Sequence, residues 1–221
     1  MPYYIFEGPD GVGKSTAILN VINSLKYKGE KRQIITTQLP GTTHLGKHIR
    51  KLVKNPESID EEIFLNPLTR QILYAADYSS FVIDYLTPLL APDKIIICDR
   101  CSAISSRIYG DAENIDIAML DTLYGIIPSP KADAIFVLNC DPQTSIDRMA
   151  SERPADYYDR LPREFKQKVH KSYSKLTTAG SSLNLHSQYL ARRIVSIDAS
   201  QDAATVSTKI CDIINSTSEQ S

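Results

Sequence analysis

At 221 residues with 42% hydrophobic composition, the chain can bury a substantial core and lies at the upper end of what one α/β domain needs. Lys+Arg 25 against Asp+Glu 26 leaves a formal charge of −1, so no overall basic field exists to hold a polyphosphate backbone, and no nucleic-acid partner is expected. The four cysteines (Cys98, Cys101, Cys140, Cys211), without an apolar leader, speak against a disulfide framework, and no apolar run approaches the roughly 18 residues of a membrane span; a soluble cytoplasmic protein is expected.

Pro2 to Glu7 reads as a short apolar strand, followed by a glycine-rich run and then by Lys14 to Lys28, where Ile18, Val21, Ile22 and Leu25 recur at helical spacing. A second strand is predicted over Gln33 to Thr37, ended by Pro40-Gly41. Helices are predicted over His44 to Val53, Asp60 to Phe64 and Leu68 to Leu90. Lys94 to Cys98 and Ala134 to Asn139 have the near-continuous apolar character of strands buried on both faces. Helices are predicted between them, over Met119 to Ile127, and after them, over Pro142 to Glu152. A last strand, Arg193 to Ile197, precedes a helix from Ala203 to about Ile214, and 215–221 reads as a frayed polar tail. Strands alternating with helices give the α/β class: a parallel sheet flanked by helices on both faces, in one domain over 1–214. Cys98 and Cys101 form a C-x-x-C, but no second pair follows at zinc spacing; they read as one buried thiol at a strand end and one on the loop after it.

The chemistry starts at Gly8-Pro9-Asp10-Gly11-Val12-Gly13-Lys14-Ser15, a full match to G-x-x-x-x-G-K-[ST] set between the first strand and the first helix. Glycines let the backbone wrap a phosphate without Cβ clashes, and the loop N–H groups and helix N-terminus face the anion. Lys14 can reach the transferring phosphoryl and Ser15 is placed to ligand magnesium. A chance glycine-rich turn would not carry these flanks. A GTPase should carry a base-reading N-K-x-D, which is absent, so a kinase is favoured over a nucleotide switch.

Phe6 to Thr16 resembles the phosphate loop of the thymidylate kinase family, and the likeness runs over nearly the whole chain. The resemblance implies a P-loop NTPase fold with a small lid over about 150–165, and ATP held at Gly8, Asp10, Gly11, Val12, Gly13, Lys14, Ser15 and Thr16 with Mg2+. It places Asp10 where the acid orients the acceptor's 3′-hydroxyl or the transferring group. Asp99-Arg100 matches the family's Asp-Arg pair: Arg100 would hold the acceptor phosphate with a bidentate fork, and Asp99 would steady it or a magnesium-bound water. Gly11 stands where some members carry an arginine, so the catalytic arginine should come from the lid, as Arg153 or Arg160, with Arg163 near and Lys166 and Lys168 next in line. Leu73 to Tyr78 resembles Leu-Phe-Ala-Ala-Asp-Arg, which would stack Tyr74 on the acceptor base. Homodimerisation is implied by the family as well.

The departures cluster at the acceptor. Tyr78 replaces the arginine that addresses the pyrimidine edge, and Gln38-Leu39 replaces an Arg-Glu pair. Ser105 and Ser106 are kept, with Ile108 or Tyr109 left to fill the aromatic position near the sugar. The expected activity is transfer of the γ-phosphate of MgATP to a pyrimidine deoxynucleoside 5′-monophosphate, dTMP first and dUMP beside it. None of the four histidines is needed, and His170 and His186 read as surface residues. The alternatives are a deoxynucleoside kinase, for which Glu7 is the candidate base, and a non-catalytic P-loop nucleotide-binding protein.

Overall fold

The computed structural model describes residues 2–149 and 156–218. Within them, five parallel strands form one sheet: β1 (Tyr3–Glu7), β2 (Gln33–Gln38), β3 (Lys94–Asp99), β4 (Ala134–Asn139) and β5 (Ile194–Asp198), in the order β2-β3-β1-β4-β5. β1 is central because all five of its residues are buried and both of its edges are paired, Ile5 lying opposite Cys98 on one side and Ile135 on the other. Period-2 alternation divides the apolar strands between two cores. Tyr3, Ile5, Ile96, Cys98, Ile135 and Val137 face one side. Tyr4, Phe6, Ile95, Ile97, Phe136 and Leu138 face the other.

The second face is covered by α1 (Lys14–Tyr27) and the C-terminal helix Ala203–Ser218, which buries Val206, Ile210 and Ile214 at four-residue intervals. That helix outruns its expected end at about Ile214 and continues to Ser218, so the first residues of the predicted tail are helical.

On the first face lie α3 (Pro67–Ser80), α5 (Ser102–Ala112), α6 (Ile117–Gly125) and α8 (Arg163–Thr177). α3 starts at Asn66, whose side chain accepts from Thr69 N–H at 2.8 Å with Pro67 at the first helical position. The expected single helix to Leu90 is interrupted. Phe81–Leu86 forms a π-turn and α4 (Thr87–Leu89) closes it, where Pro88 has no N–H to continue the ladder.

One further expectation fails, and one helix lies where none is predicted. Asp60 to Phe64 is not helical: the only helical turn nearby is a 3₁₀ turn, Pro56–Ser58, and three successive acidic residues followed by an 85% exposed Phe64 give a helix no face to bury. α5 was not anticipated, because its buried face carries Ser102, Ser106 and Arg107, which mask the apolar period of Ile104 and Ile108. α2 (His44–Lys54), capped by Thr43 accepting from Gly46 N–H at 2.9 Å, and α7 (Pro142–Met149) flank the carboxyl ends of the strands. A short α9 (Ser182–Ser187) precedes β5, so the C-terminal helix is α10. No helix among the described residues is long and apolar enough to cross a membrane.

Candidate active site

Everything chemical gathers at the carboxyl edge of the sheet, where ligands of open α/β sheets bind. β1 delivers the chain into the phosphate loop at Gly8, whose φ of 145° and lack of room (a Cβ would stand 2.4 Å from the Leu138 carbonyl oxygen) admit only glycine. Gly13, at φ 98°, turns the loop into α1. Lys14 curls back over the loop, donating to the Gly8 and Pro9 carbonyls at 2.9 Å each, with Asp10 4.0 Å away. Ser15 and Thr16 stand exposed at the start of α1, and Val12 pins the loop to the core.

Burial lowers the pKa of Lys14 to about 8, with Arg100 adding to the shift and Asp10 opposing it. An arriving triphosphate favours the charged form. Nucleotide binding should therefore take up protons above pH 8 and weaken as pH rises, by up to about tenfold per pH unit, while staying flat below about pH 7. Titration calorimetry in two buffers of unequal ionisation enthalpy measures the uptake; its absence at about pH 8.5 would show that Lys14 stays charged in the empty site.

β3 ends in Asp99 and Arg100. Arg100 sits at φ 72°, a conformation uncommon for a side-chain-bearing residue, held by its N–H donating to the Phe6 carbonyl at 2.9 Å. Its guanidinium reaches back across the loop to Gly8 O at 3.0 Å and to Tyr173 Oη at 2.9 Å, and it ion-pairs with Asp10. Asp99 Oδ1 is buried and has no hydrogen-bond partner among the described residues. Beneath lies Glu7, fully buried, accepting from Cys101 N–H at 2.8 Å, Ser105 Oγ at 2.9 Å and Tyr173 Oη at 2.9 Å, with Arg100 at 3.5 Å. It is a strut joining four segments. A general base for a sugar hydroxyl needs an open lone pair, so the deoxynucleoside-kinase alternative loses its candidate. Cys98 and Cys101 are buried, as read from the sequence; Cys98 Sγ donates to the Arg100 carbonyl at 2.9 Å.

Two cavities meet here. A cleft of about 680 Å³ runs over the phosphate loop and takes in Asp10 to Thr16, Leu39, Asp99 and Arg100. A smaller pocket opens beside it, lined by Tyr74, Ser105, Ser106, Tyr109 and Tyr158, and shares Asp10, Leu39 and Arg100 with the cleft. Of the two candidates for the aromatic position, Tyr109 lines this pocket while Ile108 is in the core. Asp77, matched in the Leu73 to Tyr78 segment but given no role there, is buried on α3 and accepts from Gly41 N–H at 3.1 Å and Ser102 Oγ at 3.3 Å, tying the Pro40-Gly41 loop to the pocket wall. Burial raises its pKa to about 6.

Two expected site residues stand elsewhere. Tyr78 is 2% exposed and packs with Phe81 and Tyr124 in the core, lining neither cavity; a neutral ring is buried there without the charged partner that a guanidinium would need. Arg160, 48% exposed, turns outward to Glu57 at 2.6 Å. Arg153 lies outside the described residues. Besides Lys14 and Arg100, the cations that line the cleft among the described residues are Arg50 and Lys54 on α2, Arg148 on α7 and Lys166 on α8. Arg50 and Lys54 stand four apart on one helix face, a spacing visible in the sequence; Arg148 lies in no motif. His170 is not a surface residue: it is buried, with Nε2 2.8 Å from Ser145 Oγ, and burial lowers its pKa. The His186 side chain lies outside what is described.

The thymidylate kinase family model matches residues 6–210. The chain belongs to the thymidylate kinase family. Among curated thymidylate kinases it is 32% identical over 177 residues to that of Caldicellulosiruptor saccharolyticus, covering 79% of this chain and 82% of the relative. It is 30% identical over 217 residues to that of Latilactobacillus sakei, covering 95% and 92%. The solved thymidylate kinase of Ehrlichia chaffeensis shares the fold, with a TM-score of 0.68 at 21% identity over 97% of this chain and 98% of that one. As a thymidylate kinase family member, the chain is a P-loop NTPase-fold kinase, and the cleft and pocket described above sit where its matched segment runs.

Proposed function

We propose that the protein transfers the γ-phosphate of MgATP to a pyrimidine deoxynucleoside 5′-monophosphate, dTMP foremost, giving ADP and the diphosphate. The observation that carries this reading is that a triphosphate-sized cleft and a smaller aromatic pocket share Asp10 and Arg100 at their junction, so a donor and an acceptor could meet end to end. An oxygen of the acceptor's phosphate attacks the γ-phosphorus, and the bond from that phosphorus to the β,γ-bridging oxygen breaks, the electron pair leaving with ADP. The nucleophile is already ionised near neutral pH, so positioning and charge neutralisation are the protein's work. Lys14 would face the transferring phosphoryl and Arg100 would exchange Asp10 for the acceptor phosphate. Tyr74 would stack on the base, and Asp10, once released, would turn to the acceptor's sugar or phosphate.

Mg2+ fits the residues present: Asp99 offers a buried oxygen without a partner and Ser15 an exposed hydroxyl on the same cleft, to hold the ion with the triphosphate. When bound, it would neutralise charge on the phosphates. Lid catalysis is assigned to Lys166, which lines the cleft, with Arg153 as the second cation. A one-domain enzyme over 1–214, working as a cytoplasmic homodimer, completes the reading; exposed Leu68 and Ile72, one turn apart on α3, support a self-association face.

A coupled ADP-release assay over nucleosides and nucleoside monophosphates tests the activity: dTMP should turn over and thymidine should not. With Tyr78 in the core, the pocket offers a base the rings of Tyr74, Tyr109 and Tyr158, the apolar surface of Leu39 and Pro40, and serine hydroxyls. The methyl that separates dTMP from dUMP is worth roughly 1–3 kcal/mol in an apolar pocket, so dUMP should be used with kcat/KM within about a hundredfold of dTMP. A purine that wins would show that the pocket does not hold the acceptor base, and equal inertness of every nucleotide would favour a non-catalytic binding protein.

A further inference from the structure

Lys54 ends α2 at the seam between the two cavities and lines both. Its ammonium does not point at open solvent. It lies 2.5 Å from Oδ2 of Asp156, whose side chain is 2% exposed, and the Lys54 carbonyl accepts from Tyr157 N–H at 2.8 Å. The other Asp156 oxygen accepts from Tyr158 N–H at 3.0 Å and Asp159 N–H at 3.2 Å, so one carboxylate shapes the 156–159 turn and fastens it to α2. The turn carries two side chains into the site. Tyr158 closes the smaller pocket with its ring centroid 4.5 Å from that of Tyr109, and Asp159 lines the cleft beside Lys166. Arg70 backs the arrangement from α3, its guanidinium carbon 3.5 Å from the centroid of Tyr157.

We propose that Lys54 is a positioning residue that latches the 156–159 turn onto α2 through Asp156, so that Tyr158 forms the roof of the acceptor pocket. This rests on the reading of that pocket as the acceptor site. An acceptor nucleotide enters with the latch undone and is retained with it made. The pair is mostly withdrawn from water, where a charge that loses its partner is costly, so the latch has two well-separated states instead of a graded range. The same cation could instead serve the acceptor's phosphate directly, and the two roles differ in what Asp156 does: in a latch it is a partner, whereas for a phosphate-binding lysine it is a competitor.

Steady-state kinetics of Lys54→Met and Asp156→Asn in the full chain separate them. The latch predicts that both raise the acceptor KM, by about tenfold or more, with the ATP KM changed by less than about threefold. Lys54→Arg should keep most of the function, and the charge swap Lys54→Asp/Asp156→Lys should recover part of what either single swap loses. Hydrogen exchange at the Tyr157, Tyr158 and Asp159 amides should quicken in both single variants without any substrate present, a readout that holds even if the acceptor is misidentified. The latch is overturned if Lys54→Met raises the acceptor KM while Asp156→Asn lowers it, or if exchange at those three amides is unchanged in both variants.

Discussion

Lys14→Ala is expected to lower kcat by about 10²–10³-fold or more, the scale on which removing one preorganised donor to developing charge is felt, with the fold intact. The lysine is nearly buried and its two hydrogen bonds go to carbonyls of its own loop, so its loss removes no core packing, and it relieves the repulsion that Arg100 exerts on it. Thermal melts of the variant should therefore sit close to those of the parent, while single-turnover rates collapse. A variant retaining more than about a tenth of normal kcat would take Lys14 away from the transferring phosphoryl.

Arg100→Ala should behave differently, because this side chain serves both the empty and the filled site. The acceptor KM is expected to rise about ten- to a hundredfold, the loss of one or two charge-assisted hydrogen bonds of about 1.5–3 kcal/mol, while the ATP KM moves little. Stability should fall as well. Glu7 is fully buried and loses the guanidinium 3.5 Å away, while Asp10, half-buried, still has Lys14 at 4.0 Å; breaking a buried pair from one side costs about 3–5 kcal/mol. Denaturant unfolding of Arg100→Ala beside Arg100→Lys measures this, and an alanine variant as stable as the parent would mean that Glu7 is neutralised in another way. Arg160→Ala provides the contrast: its pair with Glu57 is exposed and screened by solvent, so stability should hardly change and catalysis should proceed.

What could be read in the sequence was whatever is encoded locally. The phosphate loop is continuous in the chain, the β3 and β4 strands carry near-continuous apolar runs, and Asp99-Arg100 stands directly at the end of its strand, so motif and neighbourhood coincide. Side-chain direction was not encoded that way. Asp159 and Arg160 are adjacent, yet the turn shaped by Asp156 sends the first into the cleft and the second to Glu57. Tyr78 occupies the position of a family arginine, but a phenol gains by joining Phe81 and Tyr124 in the core. Glu7 and α5 were obscured by the same feature, polar residues buried at the active face: the carboxylate among an arginine, a serine and a tyrosine, the helix with Ser102 and Ser106 turned inward. Hydrophobic periodicity is silent where burial is satisfied by hydrogen bonds.

The central place of β1 governs when the protein becomes able to bind nucleotide during its own synthesis. The phosphate loop is made first, but the strand that aims it has no sequence neighbour beside it: its edges are completed by residues near 98 and near 135. Such distant pairings are slow to close and reward the chain only late. A nascent chain stopped before β4 would hold every residue of the loop but lack the Leu138 carbonyl, the nearest part of the wall that excludes a side chain at Gly8. Emergence of the nucleotide site from the ribosome is thus tied to the second half of the chain, although the motif that names it is complete by residue 15.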